Sequence, residues 1–269
     1  MSQPRVLILR APGTNCDLET AFAFERAGAA AERLHIQAVL ERPRRMAEYQ
    51  ILCLPGGFSY GDDLAAGRIL GNQIRHHLAD CLGQFKSDGK LILGICNGFQ
   101  ILIKSGILLD EPCESARGLP ADRSVCAPAA TLTWNDSGKF EDRWVRLKVE
   151  GGRCVFFAGI DAMYLPVAHA EGKFVARDEQ VLSALEAEGR LALRYVAEAA
   201  NGPAPYPANP NGSQRDVAAI CDATGRVCGL MPHPERHVDP TQHPRWTRGP
   251  MPAEGAGLAV FRNAVRYFA

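Results

Sequence analysis

In the stretch LILGICNGFQIL, residues 91–102, Cys96 stands between Gly94 and Gly98 where an apolar run passes into a helix-like pattern. A parallel strand that ends in Gly-x-Cys-x-Gly and turns sharply into a helix makes a nucleophile elbow. The tight turn presents the side chain at the strand's C-terminal end, and nearby glycines remove side chains that would clash. Ligands of open α/β sheets bind at that edge, and the N–H groups of a helix N-terminus favour negative charge on sulfur. The chemistry expected is nucleophilic attack by a thiolate. The competing reading is a buried cysteine beside a glycine packing contact. That reading is the one expected of most of the nine cysteines, at 16, 53, 81, 96, 113, 126, 154, 221 and 228, none of them in C-x-x-C spacing.

A cysteine nucleophile needs a base, itself oriented by a third group. His233 in GLMPHPERH follows an expected strand, flanked by Pro232 and Pro234, and Glu235 lies two residues on. In extended backbone both side chains point the same way, so the carboxylate could fix the tautomer of the imidazole and stabilise its charged form. His169 in PVAHAEGKF is a rival with the same spacing to Glu171, and the residues alone barely separate the two. His76 and His77, in a partly charged helical stretch, read as solvated. An oxyanion would need backbone donors. LPGGFSYGDD, residues 54–63, follows a strand, and its paired glycines allow close backbone approach. The N–H of Gly57 and that of Asn97, just after the thiol, are the candidates, against the plainer reading of Gly56-Gly57 as an ordinary turn.

The elements that must position these groups alternate. RVLILR (5–10), QILCLPGG (50–57) and KLILGI (90–95) read as buried parallel strands. Between them, residues 17–29 read as a helix capped by Asn15 or Asp17, and residues 62–85 hold one or two more. The expected fold is therefore α/β: an open, mostly parallel sheet flanked by helices, with the elbow after a central strand. The second half is less regular. WVRLKVE, CVFFAG and LPVAHA read as strands, VAAICDATGRVCGLMPH as a hairpin around DATGR, and LAVFRNAVRYF as a closing helix. Residues 201–213, with four prolines, and 239–255 read as long loops. One domain spanning 1–269, with insertions, is the economical organisation.

Composition excludes several classes. The chain has 269 residues, is 46% apolar and carries 30 basic against 30 acidic side chains. Zero formal charge gives no electrostatic case for nucleic acid or an anionic membrane. No apolar run spans a bilayer, and the N-terminal one is too short for a signal peptide, so a cytoplasmic protein is expected.

Taken together, GICNGFQ, the PGG loop and PHPE make the chain resemble class I glutamine amidotransferases of the triad type. More narrowly, RAPGTNCD, PGGFSYGDD, GICNGFQIL, YPANPNGS and GLMPHPERH resemble, in order, the family of glutaminase subunits of phosphoribosylformylglycinamidine synthase. The resemblance implies a flavodoxin- or Rossmann-like amidotransferase fold. It implies Cys96 as nucleophile, His233 as base and Glu235 as orienter, Gly57 and Asn97 at the oxyanion hole, and Gln100 in contact with substrate glutamine. It favours His233 over His169, leaving His169 near the site. The extra length falls near 113–150 and 239–256, which bears on partner contacts rather than on chemistry.

The reaction implied is hydrolysis of L-glutamine, with ammonia passed to a formylglycinamide ribonucleotide synthetase subunit, alone or with a small third subunit, in purine biosynthesis. No metal site is expected. With no G-x-x-x-x-G-K-[ST] loop here, ATP and Mg are expected on the partner and no cofactor on this chain. The alternatives are a glutaminase serving another synthetase, a cysteine hydrolase or stress protein of similar fold, and a non-catalytic regulatory subunit.

Overall fold

The structure, a computed structural model, describes residues 3–109, 128–198 and 202–269. Its centre is a nine-stranded sheet of order β2-β1-β3-β4-β11-β10-β9-β6-β7. β1 (Arg5–Arg10), β2 (Ala30–His35), β3 (Ile51–Leu54), β4 (Leu91–Ile95) and β11 (Val227–Leu230) are mutually parallel. β10 (Val217–Cys221), β9 (Leu191–Tyr195), β6 (Glu141–Val149) and β7 (Ala162–His169) extend it through antiparallel pairings. The parallel strands carry the site, because their C-terminal ends share one edge.

Period-two alternation in unbroken apolar runs divides the core between two faces of the sheet. Val6, Ile8, Ile51, Cys53, Leu91 and Leu93 pack with α1 (Asp17–Arg26) and α7 (Leu258–Arg266), where Phe24 meets Phe261 edge-on at 4.9 Å. Leu7, Leu9, Leu52, Leu54 and Ile92 face α2 (Ile36–Glu41), α3 (Arg68–His77), α4 (Ala79–Ser87) and α5 (Asn97–Ser105). Outside the main sheet, β5 (Ala130–Thr133) pairs antiparallel with β8 (Lys173–Ala176), and α6 (Glu179–Ala187) follows.

Most expected elements form. The DATGR turn closes the β10–β11 hairpin, its Asp222 Oδ1 accepting from the N–H groups of Arg226 and Val227 at 3.1 and 3.2 Å. Two expectations fail. CVFFAG is no strand: Val155–Phe157 is a 3-10 turn whose Phe156 and Phe157 are buried, and Asn263 of α7 holds the Phe156 carbonyl at 3.0 Å. Its apolar character comes from lying under a helix. Nor does Asn15 or Asp17 cap α1. Cys16 takes the cap position without a side-chain bond, and Asp17 is buried against Arg10 and Arg33 at 2.7 and 3.0 Å. Residues 113–127 of the expected insertion lie outside the described residues, while 141–149 form β6. Among the described residues no helix is long and apolar enough to cross a membrane.

Candidate active site

β4 lies between β3 and β11, so the turn from β4 into α5 sits near the middle of the sheet edge. Cys96 fills that turn at φ +51°, ψ −104°, a conformation that L-residues rarely adopt. It is over-determined by its neighbours. The Cys96 N–H donates to the Leu230 carbonyl at 2.7 Å, and the Cys96 carbonyl accepts from Phe99 and Gln100 at 3.0 and 3.2 Å. The flanking glycines are required by protein packing rather than by substrate. A Cβ at Gly98 would stand 1.9 Å from the Leu54 carbonyl oxygen, and one at Gly94 would stand 2.6 Å from the Gly98 oxygen. The elbow does not expose sulfur to bulk water: Cys96 is 5% accessible, with Sγ 3.5 Å from the Ala168 carbonyl oxygen, and it lines a pocket.

His233 follows β11, its N–H donating to the Pro166 carbonyl at 2.8 Å, and Glu235 sits in the short 3-10 turn Pro234–Arg236. The carboxylate reaches back to the ring, Glu235 Oε1 lying 2.5 Å from His233 Nδ1, with both side chains buried. Burial works against charge on this imidazole, yet the Glu235 carboxylate and the nearby thiols of Cys96 and Cys16 outweigh it. The ring therefore holds its proton well above the ordinary histidine range. Nε2, on the far side from Glu235, is buried without a hydrogen-bond partner among the described residues. The thiols are near enough to bias the ring's charge but make no formed bond to Nε2; such contacts commonly tighten only with substrate. Gly56 makes room for the ring, since a Cβ there would lie 2.8 Å from His233 Cε1.

His169, the rival, is built differently. Asn135 Nδ2 donates to the carbonyls of Lys139 and His169, both at 2.8 Å, so Asn135 Oδ1 is an acceptor. His169 Nδ1, 3.1 Å from that oxygen, must carry the hydrogen, which leaves Nε2 as a bare acceptor with no partner among the described residues. Burial, and then the charge on His233, push its pKa down to about 3. A ring so reluctant to take a proton is a poor general base. Glu171 does not orient it; both Glu171 carboxylate oxygens accept from the Ala66 N–H at 3.3 Å. His76 and His77 are exposed.

Gly57 lines the same pocket as Cys96, at φ +136° and bridged to Thr14; a Cβ there would meet the Asn15 nitrogen at 2.7 Å. Asn97 is the first residue of α5, where helical geometry gives the N–H no intrahelical acceptor. Its side chain fastens the site: Oδ1 accepts from Ser59 N–H at 3.2 Å, while Nδ2 donates to Asp62 at 3.1 Å and Gln100 Oε1 at 2.9 Å. Gln100 lines the pocket and donates to the Glu171 carbonyl at 2.7 Å. It thus braces the pocket wall as well as facing the cavity.

Three groups near the site had no role in the sequence reading. Cys16, in GTNCD, accepts from Arg236 Nη2 at 3.1 Å, and Arg236 Nε donates to Glu19 at 2.9 Å. The third is Asp62 of the SYGDD loop. The signal available was position, since both motifs follow the C-terminal ends of parallel strands. Cys16, His233 and Glu235 bring a sulfur, a ring nitrogen and a carboxylate oxygen within 4.8 Å of one another, a set able to hold a soft divalent ion. Cys16 Sγ accepts from Arg236, and His233 Nδ1 and Glu235 Oε1 hold one another. Cys96 and Gly57 line one pocket, while the His233–Glu235 pair and Asn97 are not among its lining residues. The protonated imidazole is near enough to Cys96 to feel its sulfur, so the set can perform acyl transfer from an amide to sulfur.

Residues 3–268 match the family described as CobB/CobQ-like glutamine amidotransferase domain. Phosphoribosylformylglycinamidine synthase subunit PurQ of Dehalococcoides mccartyi is 47% identical, over 99% of this chain and 98% of its own. The PurQ subunit of Methanococcus maripaludis is 39% identical, over 98% and 97%. Among solved structures, a chain in the structure of PurLQS from Thermotoga maritima superimposes with a TM-score of 0.71 at 30% identity, covering all of both chains. The chain therefore belongs to the CobB/CobQ-like glutamine amidotransferase family, and within it to the phosphoribosylformylglycinamidine synthase PurQ subunits.

Proposed function

We propose that the chain is the glutaminase subunit of a phosphoribosylformylglycinamidine synthase, hydrolysing L-glutamine to glutamate and handing ammonia to a synthetase subunit. The observation that carries the reading is a buried His233–Glu235 pair beside a cysteine held in a strained elbow, in a chain 47% identical to a PurQ subunit. The sulfur of Cys96 attacks the side-chain amide carbon of glutamine, and the oxyanion that forms is met by the N–H groups of Gly57 and Asn97. Each such donor lowers the barrier by roughly 3 kcal/mol. Glu235 keeps the proton on His233, so the imidazolium gives it to the departing nitrogen as the C–N bond breaks and ammonia leaves. Water, deprotonated by the now neutral ring, attacks the thioester; the C–S bond breaks, glutamate leaves, and the cycle closes. His169, neutral and fixed by Asn135, stands at the pocket wall without taking part in proton transfer.

The partner is a formylglycinamide ribonucleotide synthetase subunit, in an assembly of the kind that PurLQS names, with a small third subunit. ATP and magnesium belong to that partner. Work in the cytoplasm is part of this proposal. The test is a complex of this chain with the synthetase carrying Cys96→Ala. Amidation driven by glutamine should vanish, while amidation driven by ammonium salt at a pH giving free ammonia should persist. Loss of ammonia-driven synthesis in an intact variant complex would overturn the proposal.

A further inference from the structure

We infer that Asp62, with Glu171 beside it, receives the α-ammonium group of the substrate and so selects a free γ-amide amino acid over other amides. The inference rests on reading the chain as a glutaminase. Glutamine is a zwitterion: its amide must reach Cys96 while its other end carries an ammonium and a carboxylate. A pocket that removes an ammonium from water must supply an opposite charge.

The pocket that Cys96 lines supplies one sign only. Asp62 and Glu171 are the sole formally charged side chains among its described lining residues; no lysine or arginine is among them, and His169 is neutral. The two carboxylates are not equivalent. Glu171 has the Ala66 N–H at 3.3 Å and Lys104 Nζ at 4.0 Å, and that lysine is itself tied to the Ala66 carbonyl at 2.5 Å. Among the described residues Asp62 receives only neutral donors, the Asn97 amide at 3.1 Å and the Gly67 backbone N–H, and feels Lys104 through its charge without an ion pair. Burial, then the negative charge of Glu171, push the Asp62 pKa up to about 6. A cation seated between the two would relieve that repulsion.

Position gives the arrangement its selectivity. Asn97 follows the nucleophile directly and holds both ends of the Ser59–Asp62 turn, through Ser59 N–H and Asp62 Oδ1. The separation between sulfur and receptor is thereby fixed by one buried side chain. A substrate one methylene shorter, such as asparagine, cannot fill both ends at once, and an amide lacking the α-amino group leaves the carboxylates unmet.

The experiment uses the complex with the synthetase at pH 8, measuring hydrolysis of L-glutamine and of glutaramate, the same amide without the α-amino group. Wild type should prefer glutamine strongly. In Asp62→Asn, kcat/KM for glutamine should fall roughly 100-fold, mainly through KM, while that for glutaramate changes less than about threefold. Glu171→Gln should shift the same ratio in the same direction by less, which serves if Asp62→Asn fails to fold. Ammonia-driven synthesis reports that each variant complex is intact. An equal fall on both substrates, or an unchanged glutamine KM in both variants, would overturn the inference. A wild-type complex that hydrolyses no glutamine would instead overturn the functional reading beneath it.

Discussion

The backbone at residue 96 can be weighed by exchanging alanine for glycine there. At an ordinary buried strand position this exchange is destabilising twice over. Glycine loses roughly 0.5–1 kcal/mol more chain entropy on folding, and a buried methyl group worth about 0.8 kcal/mol is removed. Ala218 on β10, fully buried, is such a position, so Ala218→Gly should cost about 1.3–1.8 kcal/mol. At residue 96 the same losses occur, but φ +51° and ψ −104° strain any residue with a Cβ. Relief of that strain returns about 1–3 kcal/mol. Cys96→Gly should therefore lie between about 0.8 kcal/mol below and about 1.7 kcal/mol above Cys96→Ala, and on central values slightly above it in stability. Urea unfolding of the four proteins measures both differences, with midpoints compared at constant m. If Cys96→Gly falls below Cys96→Ala by as much as Ala218→Gly falls below wild type, the elbow is not strained and the reasoning fails.

Two more outcomes follow from the histidines. His233→Ala should lower glutamine hydrolysis by roughly 10⁴-fold, while His169→Ala retains a measurable part; the reverse order in folded variants would assign the base to the wrong ring. Stability should also be highest near pH 6.5, because the two rings are shifted in opposite directions. His169 takes its proton near 6.5 when unfolded but only near 3 when folded. The unfolded chain thus binds the extra proton between those values, and stability falls as pH drops, by up to about 1.4 kcal/mol per unit. His233 binds its proton more tightly when folded, so its contribution is complete below about 6.5 and lost as pH rises through the higher folded value. Denaturant midpoints across pH should show His169→Gln flattening the acid limb and His233→Gln the alkaline one; an acid limb unchanged in His169→Gln would count against the buried neutral ring.

What the amino-acid sequence determined by itself is what short-range sterics and periodicity decide. Gly94, Cys96 and Gly98 announce a sharp strand-to-helix turn because the clashes they avoid arise within a few residues and from the adjacent strand. Unbroken apolar runs at 6–9, 51–54 and 91–95 announce strands covered on both faces, as the two cores demonstrate. The i,i+2 spacing of His233 and Glu235 was legible for the same reason, since two residues of chain bring the carboxylate to the ring. The apolar run 155–157 misled, because burial under a helix and burial in a strand select the same residues.

Tertiary structure alone decided the rest. His169-x-Glu171 and His233-x-Glu235 are alike as text, and only folding puts Asn135 on one ring and a carboxylate on the other. Burial and the charge on His233 send the His169 pKa down to about 3, while the Glu235 carboxylate helps hold that of His233 above its ordinary range. Cys16 meets His233 and Arg236 across more than two hundred residues of chain, and Asp62 meets Glu171 across a hundred. Charge, burial and distance between such groups are set by the sheet that collects the loops at one edge. No window of sequence contains them, because a proton's affinity for a side chain depends on every group packed around it and not on its neighbours along the chain.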